Sequence, residues 1–176
     1  MSAGPASRWL VIGNSGSGKS TLAAELGRVL HLPVHDLDLV HWHWDGRKRD
    51  GAEAGARVAE IAVADVWVIE GVYGWLADVA LSRARALVWL DLPWDACRSG
   101  LLARGLRRGM TPGDQDALLA WAEGYWRRTT PSSFSGHGRI FGSFAGEKTR
   151  LGTRAEAAAF ASRHGRLAGE APYATA

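Results

Sequence analysis

Short apolar runs alternate along the chain with longer segments in which apolar residues recur at helical spacing. The runs predict buried strands at residues 9–12, 32–38, 66–69 and 86–90, with a candidate fifth strand at 148–151. The periodic segments predict helices at residues 21–30, 52–64, 73–82, 93–108, 114–128 and 154–164, and loops are predicted at 40–51 and 131–146. Strands that alternate with helices predict right-handed crossovers, and hence an α/β fold with a parallel sheet between two helical layers.

A glycine-rich segment joins the first predicted strand to the first predicted helix. It has the pattern G-x-x-x-x-G-K-S and consists of Gly13, Asn14, Ser15, Gly16, Ser17, Gly18, Lys19, Ser20 and Thr21. Glycine permits backbone conformations that a Cβ would block, so the loop N–H groups can surround phosphate oxygens at the positive end of the helix. We expect Lys19 to reach the β- and γ-phosphates of a nucleoside triphosphate and Ser20 to bind Mg²⁺. The alternative is a glycine-rich turn with a chance lysine.

Acidic side chains follow the second, third and fourth predicted strands. They are Asp36, Asp38, Glu70 and Asp91. Ligands of parallel sheets collect at the carboxyl ends of the strands, and if the second strand continues to Asp38, both of its carboxylates point to the same side. Asp36 is then expected to hold Mg²⁺ and Asp38 to face a hydroxyl of the acceptor, while Glu70, beside Gly71, contacts the magnesium shell or the acceptor. Asp91 is expected to cap the next helix. The alternative for the acidic pair is two solvated loop carboxylates.

Arginines cluster on the predicted helix that follows the fourth strand. They are Arg98, Arg104, Arg107 and Arg108, and Gly109 bounds the helix. Phosphoryl transfer spreads negative charge, which arginines can clamp while a lid excludes water, so we expect residues 98–113 to form a lid. On a helix, Arg104 shares a face with Arg107 and Arg108, and this face rather than Arg98 is expected to approach the nucleotide. The alternative is an ordinary basic, solvated helix face.

An aromatic segment, His41-Trp42-His43-Trp44, follows the acidic pair. His41 and His43 alternate as metal ligands do, but no third ligand accompanies them, so a shaped aromatic pocket for the acceptor is the better interpretation. We therefore expect His41 and Trp42 to lie over the acceptor.

Composition restricts the classes of protein to consider. The 176 residues carry 21 Lys+Arg against 18 Asp+Glu, and this formal charge of +3 requires no nucleic acid partner, since anionic phosphates account for it. The single cysteine, Cys97, excludes an internal disulfide framework and fits a reducing cytoplasm. No apolar run approaches the length of a membrane span. We expect a soluble, cytoplasmic protein with one domain at residues 8–164, a frayed N-terminus at 1–7 and a flexible tail at 165–176.

Four motifs come in the order and spacing of a known group of proteins. They are Gly13 to Thr21, His35-Asp36-Leu37-Asp38 with His41-Trp42, Trp67-Val-Ile-Glu70-Gly71-Val-Tyr73, and Leu90-Asp91-Leu92-Pro93. Together they resemble the small P-loop proteins labelled topology modulation proteins, within the adenylate kinase-like group, and they are also similar to shikimate and gluconate kinases. The resemblance implies a three-layer P-loop fold whose five-stranded parallel sheet has the order 2-3-1-4-5. It also implies that Asp36 and Asp38 serve magnesium and the acceptor hydroxyl. We expect Glu70, Gly71 and Tyr73 to lie beside the acceptor.

The sequence therefore predicts an ATP-dependent phosphotransferase that uses Mg²⁺ and acts on a small molecule that it does not identify. Lys19 and the loop amides are expected to bind the phosphates, and Asp38 to orient or deprotonate the acceptor. Arg104, Arg107 or Arg108 is expected to stabilise the transferring group. The alternative is a nucleotide-binding regulator or slow NTPase whose aromatic loop contacts another macromolecule. A kinase is expected to have a closed acceptor pocket beside the γ-phosphate, and a regulator to have an exposed apolar patch there.

Overall fold

The computed structural model describes residues 7–106 and 109–169. Its strands are β1 (Arg8–Gly13), β2 (Val34–Asp36), β3 (Trp67–Gly71), β4 (Ala86–Leu90) and β5 (Glu147–Leu151). Its helices are α1 (Lys19–Leu30), α2 (Leu37–His41), α3 (Gly51–Val63), α4 (Gly74–Leu81), α5 (Trp94–Arg104), α6 (Pro112–Glu123), α7 (Phe134–Ser143) and α8 (Arg154–Gly169), and a 3₁₀ turn spans Gly124–Trp126.

The five strands form one parallel sheet in the order β2-β3-β1-β4-β5. Strand β1 lies in the centre, where Ile12 is in register with Gly71 of β3 and Gly13 with Leu90 of β4. The glycine-rich loop that follows β1 therefore leaves the carboxyl edge of the sheet at its middle, where ligands of such sheets bind. The predicted α/β fold and the strand order 2-3-1-4-5 are confirmed.

Alternate residues of β1 face opposite sides of the sheet and join separate cores. Leu10 and Ile12 pack with apolar residues of α3, α4 and α7. Trp9 and Val11 pack on the other side with apolar residues of α1 and α8. None of these four side chains is more than 2% exposed. Burial on both faces explains why this strand is an uninterrupted apolar run in the sequence.

The second strand is shorter than predicted. It ends at Asp36, whose carboxylate accepts a hydrogen bond from the Asp38 amide at 2.7 Å and so caps the N-terminus of α2. Helix α2 buries Leu37 closely against β3, where a Cβ on Gly71 would lie 2.6 Å from the Leu37 Cβ. The prediction that Asp36 and Asp38 share one side of an extended strand is therefore wrong, because Asp38 lies in the first turn of a helix.

Helix α5 is also shorter than predicted. It ends at Arg104, because Gly105 adopts a φ of 69° that a helix cannot continue through. The prediction of a helix through residue 108 is therefore wrong. Arg107 and Arg108, which were predicted to share a helical face with Arg104, lie outside the described residues.

Asp91 does not cap α5, in contrast to the prediction. The N-cap position is Pro93, and the Asp91 carboxylate accepts a hydrogen bond from Nε of Arg150 at 2.9 Å. Because Leu90 is in register with Leu151, this ion pair joins the ends of β4 and β5. Its role is structural, as expected, but it fixes the sheet rather than the helix.

Helices α6 and α8 differ from the predictions in their bounds. Helix α6 begins at Pro112, where Thr111 and Asp114 form a capping box, and it ends before residue 128. Helix α8 continues to Gly169, past the point where the flexible tail was predicted to begin. The rest of that tail, like residues 1–6, lies outside the described residues. In the part of the chain that the structure describes, no helix, α8 included, is both long and apolar enough to cross a membrane.

The segment between the 3₁₀ turn and β5 contains a helix, α7, where only a loop was predicted. Glycines at positions 136, 138 and 142 weaken its intrinsic helical preference. The Ser133 hydroxyl nevertheless caps its N-terminus by accepting a hydrogen bond from the Gly136 amide at 3.3 Å. His137 and Ile140 are buried on its inner face, where α7 packs on α4, β1 and β4. Tertiary burial therefore outweighs local propensity here.

Candidate active site

The loop between β1 and α1 turns tightly against α5. Gly16 and Gly18 have φ angles of 79° and 94°, in the left-handed region that favours glycine. A Cβ on Gly16 would overlap the carbonyl oxygen of Cys97, so the loop backbone touches α5 directly. Among the described residues, no side chain caps α1 at Gly18 and its first turn contains no acidic residue. The positive end of this helix is therefore suited to an anion.

A cleft of about 230 Å³ opens over this loop. Its walls consist of Ser15, Gly16, Gly18, Lys19, Ser20, Thr21, Asp38, Glu70, Gly71, Val72, Gly100, Arg104 and Arg154. The cleft thus brings most of the predicted phosphate loop together with Asp38, Glu70 and Gly71 of the predicted acceptor site. Arg104 of the predicted lid also lies on its wall, whereas Arg98 is not among these residues.

Three residues of the predicted phosphate loop, Gly13, Asn14 and Ser17, are not among the cleft residues. Asn14 is 1% exposed, its Nδ2 donates to the Ala122 carbonyl at 2.9 Å, and its Oδ1 accepts from the loop amide that follows at 2.8 Å. Ser17 is buried as well. The side chains of Asn14 and Ser17 therefore lie inside the loop and stabilise its shape. The hydrogen bond of Asn14 also connects the loop to the end of α6.

Lys19 and Glu70 meet at the bottom of the cleft. The Lys19 ammonium donates to the Asn14 carbonyl at 2.8 Å. Glu70 is 3% exposed, and its burial raises the pKa of its carboxyl above the ordinary value. The Lys19 charge and a hydrogen bond with Ser20 oppose this rise, whereas the charges of Asp36 and Asp38 add to it. Glu70 is thus a buried acid next to the lysine and serine of the phosphate loop.

The cleft contains oxygen ligands of the kind that magnesium binds. The Ser20 hydroxyl and the carboxylates of Asp38 and Glu70 lie on its wall and are the hard ligands that Mg²⁺ prefers, whereas Asp36, the predicted magnesium residue, is not a cleft residue. Within the described ranges, no group of three or more histidine, cysteine or acidic side chains is arranged to hold a metal, so His41 and His43 belong to no such site. Magnesium usually keeps several waters and is bound by one or two carboxylates together with substrate phosphates. The donor set therefore suits magnesium that arrives with a nucleotide.

The aromatic residues predicted to contact the acceptor form one cluster. His41 stacks on Tyr73 with ring centroids 4.1 Å apart, and the Trp42 indole Nε1 donates to the Tyr73 hydroxyl at 2.9 Å. Burial lowers the pKa of His41, and the charge of Lys48 adds to this effect. His41, Trp42 and Tyr73 are not cleft residues. The cluster adjoins the cleft at Val72, a cleft residue that precedes Tyr73 in the chain. Trp44 lies apart from it and is 97% exposed.

Arg154 is a cleft residue that the sequence patterns did not indicate. It begins α8, and its guanidinium donates to the Gly16 carbonyl at 3.0 Å and to the Ala96 carbonyl at 2.8 Å. This side chain therefore bridges the phosphate loop and α5. The available signal was its position just after the fifth strand, since strand ends supply the ligands in this class of sheet.

The cleft combines cationic and acidic side chains. Lys19, Arg104 and Arg154 line it with positive charge, and Asp38 and Glu70, which follow β2 and lie at the end of β3, line it with carboxylates. The cationic side chains are suited to phosphate groups. A carboxylate is suited to a hydroxyl group that gives up a proton.

Solved structures with the same fold include kinases of small molecules. A sugar kinase from Janibacter sp. is 17% identical, with 96% of this chain and 97% of that chain covered at a TM-score of 0.54. A shikimate kinase from Bacteroides thetaiotaomicron is 19% identical, with 92% and 98% covered at a TM-score of 0.62. A gluconokinase from Sinorhizobium meliloti is 17% identical, with 91% and 94% covered at a TM-score of 0.55.

A scan against protein-family models and a search of curated proteins found no match. The structural likeness, at these low identities, shows a P-loop kinase fold and nothing finer. The resemblance to shikimate and gluconate kinases is therefore confirmed at the level of the fold, and the resemblance to topology modulation proteins stays a prediction.

Proposed function

We propose that the protein is an ATP-dependent phosphotransferase that moves the γ-phosphoryl group of ATP to a hydroxyl of a small molecule, with Mg²⁺. The observation that carries this proposal is a single cleft that is lined by the phosphate loop with its cationic side chains and by the carboxylates of Asp38 and Glu70. The kinase fold supports it as well. A cytoplasmic location is part of the same proposal.

Lys19 and the N–H groups of the phosphate loop bind the β- and γ-phosphates. Ser20 and Asp36 would hold Mg²⁺, which when bound neutralises charge on the phosphate oxygens. Arg104 contributes positive charge beside the transferring group. Arg107 and Arg108, which lie outside the described residues, are assigned to the same task.

Asp38 accepts the proton of the acceptor hydroxyl while the hydroxyl oxygen attacks the γ-phosphorus atom. The bond from the γ-phosphorus to the bridging oxygen breaks, and ADP leaves with that oxygen. The acceptor rests against residues 71–74, which we call the acceptor wall. The residues assigned to acceptor binding are Asp38, His41, Trp42, Glu70, Gly71 and Tyr73.

A second candidate function is a nucleotide-binding regulator or slow NTPase. The observation in its favour is the exposure of large apolar side chains in the segment that follows Asp38, since Leu39 is 76% and Trp44 97% exposed. Exposed apolar surface beside a nucleotide site can serve contact with a macromolecule. In that case ATP would be hydrolysed slowly, with no small-molecule acceptor.

A screen of ADP release tests the proposal. The wild-type protein is incubated with ATP and panels of sugars, nucleosides, nucleotides and small acids, with and without Mg²⁺. We expect one acceptor class to stimulate ADP release only when Mg²⁺ is present, and Lys19→Ala to abolish the stimulation while keeping the far-ultraviolet circular dichroism of the wild type. If an acceptor still stimulates ADP release by Lys19→Ala, the proposed site is contradicted. If no acceptor changes the rate of ADP release by the wild type, the second candidate function is favoured.

A further inference from the structure

Three buried side chains form a hydrogen-bonded network behind the acceptor wall. Nε1 of Trp89 in β4 donates to the Tyr125 hydroxyl at 3.2 Å, and that hydroxyl lies 2.7 Å from Nδ1 of His137 in α7. His137 Nε2 lies 3.0 Å from the carbonyl oxygen of Val72. None of the three side chains is more than 2% exposed, so water cannot take the place of a missing partner. We call these three residues with the Val72 carbonyl the buried network.

The buried network has one consistent arrangement of hydrogens. A carbonyl oxygen only accepts, so Nε2 of His137 carries the hydrogen and Nδ1 accepts from the Tyr125 hydroxyl. The Tyr125 oxygen in turn accepts from the Trp89 indole. Burial lowers the pKa of His137 to about 3, which keeps the ring neutral and in this tautomer near neutral pH. Each polar hydrogen of the network therefore has an acceptor.

The network ends on the backbone of the acceptor wall. Val72 is a cleft residue, and the next residue, Tyr73, accepts the hydrogen bond from Trp42. Gly74 packs against the segment before α7, because a Cβ there would overlap the Pro131 carbonyl oxygen and lie 3.3 Å from the His137 ring. The acceptor wall is thus held from behind by α7 and by the imidazole of His137.

The phosphate loop is tied to the same part of the molecule. The Asn14 side chain donates to the carbonyl of Ala122, which lies just before Tyr125, and the Asn14 carbonyl accepts from the Lys19 ammonium. One path of contacts therefore leads from Lys19 through the end of α6 to Tyr125, and from there through His137 to Val72. Such a path fixes the phosphate-binding group and the acceptor wall relative to each other.

We propose that Tyr125 and His137 are positioning residues that hold the acceptor wall at a fixed place relative to the phosphate loop. Their importance for phosphoryl transfer rests on the proposed function, whereas their hold on the wall rests on the buried network alone. The competing explanation is a network that only stabilises the domain. Loss of the network would then lower the free energy of unfolding without a selective effect on amide exchange in residues 71–74.

Four variants separate these explanations. Tyr125→Phe removes one hydroxyl and keeps the ring, and His137→Leu removes both hydrogen bonds of the imidazole. His137→Gln keeps an N–H that reaches the Val72 carbonyl. Ile140→Val is the matched control, because Ile140 is buried in the same helix but takes part in none of the hydrogen bonds of the network. Hydrogen exchange of each full-length protein is followed by mass spectrometry, and affinity for ATP with Mg²⁺ is measured by calorimetry.

We expect amide exchange in residues 71–76 to accelerate about 2- to 10-fold in Tyr125→Phe, because one of the two hydrogen bonds lost with the hydroxyl, the one to His137, leads to these residues. The acceleration should be larger in His137→Leu and smaller in His137→Gln, and Ile140→Val should leave these amides unchanged. Affinity for ATP should stay within about twofold, because the Asn14 contact remains. Unchanged exchange in Tyr125→Phe, or equal acceleration throughout the domain, overturns the proposal. Tyr125→Phe decides the question even if His137→Leu does not fold.

Failure of this inference and failure of the proposed function give different results. If the ADP-release screen finds no acceptor, the proposed function fails, but exchange in residues 71–76 still decides whether the network holds the wall. If transfer to an acceptor is found and exchange is unchanged in Tyr125→Phe, the proposed function stands and the inference falls. With an acceptor in hand, Tyr125→Phe is expected to raise the KM for the acceptor and to leave the KM for ATP unchanged.

Discussion

Asp36 and Asp38 are separated by one residue but lie in different surroundings. The Asp36 carboxylate accepts the Asp38 amide at the start of α2, whereas Asp38 lies on the wall of the cleft. The bend between β2 and α2 produces this difference, which an extended strand would not. The proposed division of labour, with Asp36 at magnesium and Asp38 at the acceptor, is compatible with the bend.

Substitution of each acid tests that division. Asp36→Asn is expected to raise the Mg²⁺ concentration that activity requires, because it removes charge near the ion. Asp38→Asn is expected to leave ATP affinity unchanged and to lower phosphoryl transfer by ~10²–10⁴, the usual cost of a lost general base. Magnesium titrations and calorimetry of both variants measure the effects. Equal losses of ATP affinity in the two variants would contradict the assignment.

His137 gives the molecule a specific dependence of stability on pH. Burial lowers its pKa from 6.5 to about 3, so between these values the unfolded state binds a proton that the folded state does not. The free energy of unfolding should therefore fall with decreasing pH, by up to about 1.4 kcal/mol per pH unit from this group. Urea unfolding of wild type and His137→Gln at several pH values below neutrality checks this. A slope in the variant as steep as in the wild type would refute the prediction.

At the scale of helices and strands, the sequence correctly predicted the elements that local residue patterns determine. Strands β1 and β4 are continuous apolar runs because both faces are buried, and the phosphate loop has glycines where its backbone turns against α5. Helix α2 was missed because the Asp36 side chain caps it, a local contact that competes with extension of the strand. Helix α7 was not predicted because its glycines lower the intrinsic helical preference, which tertiary burial outweighs. Arg154 was missed because only the folded chain brings it to Gly16.

The end of α5 allows a test of the lid. Arg104 is the last residue of the helix and lies on the cleft wall, whereas Arg98 is an exposed arginine of the same helix that is not a cleft residue. Arg104→Ala is expected to lower turnover by ~10²-fold, the usual cost of one lost charge-stabilising donor. Arg98→Ala is the matched control and should retain turnover. ATP with Mg²⁺ should also slow hydrogen exchange across residues 101–106. Equal turnover in the two variants would contradict the lid and would show that the end of α5 is an ordinary solvated segment.

At the scale of the whole molecule, the sheet places the phosphate loop and the acceptor wall side by side. The central strand β1 leads to the phosphate loop, and its neighbour β3 leads to Glu70 and the acceptor wall. Cores on both sides of the sheet bury β3 and residues 9–13 of β1, so neither strand can shift without a loss of packing. A rigid sheet with binding groups at one edge is suited to hold two substrates in line for transfer.

The fate of the γ-phosphoryl group distinguishes a phosphotransferase from an NTPase. Phosphorus NMR of the wild-type protein with ATP, Mg²⁺ and the acceptor that stimulates ADP release separates transfer from hydrolysis. We expect a new phosphate-ester signal that grows at the rate at which ADP forms, and Lys19→Ala should produce neither the ester nor ADP. Formation of ADP together with inorganic phosphate alone would contradict the proposed transfer and would identify the protein as an NTPase.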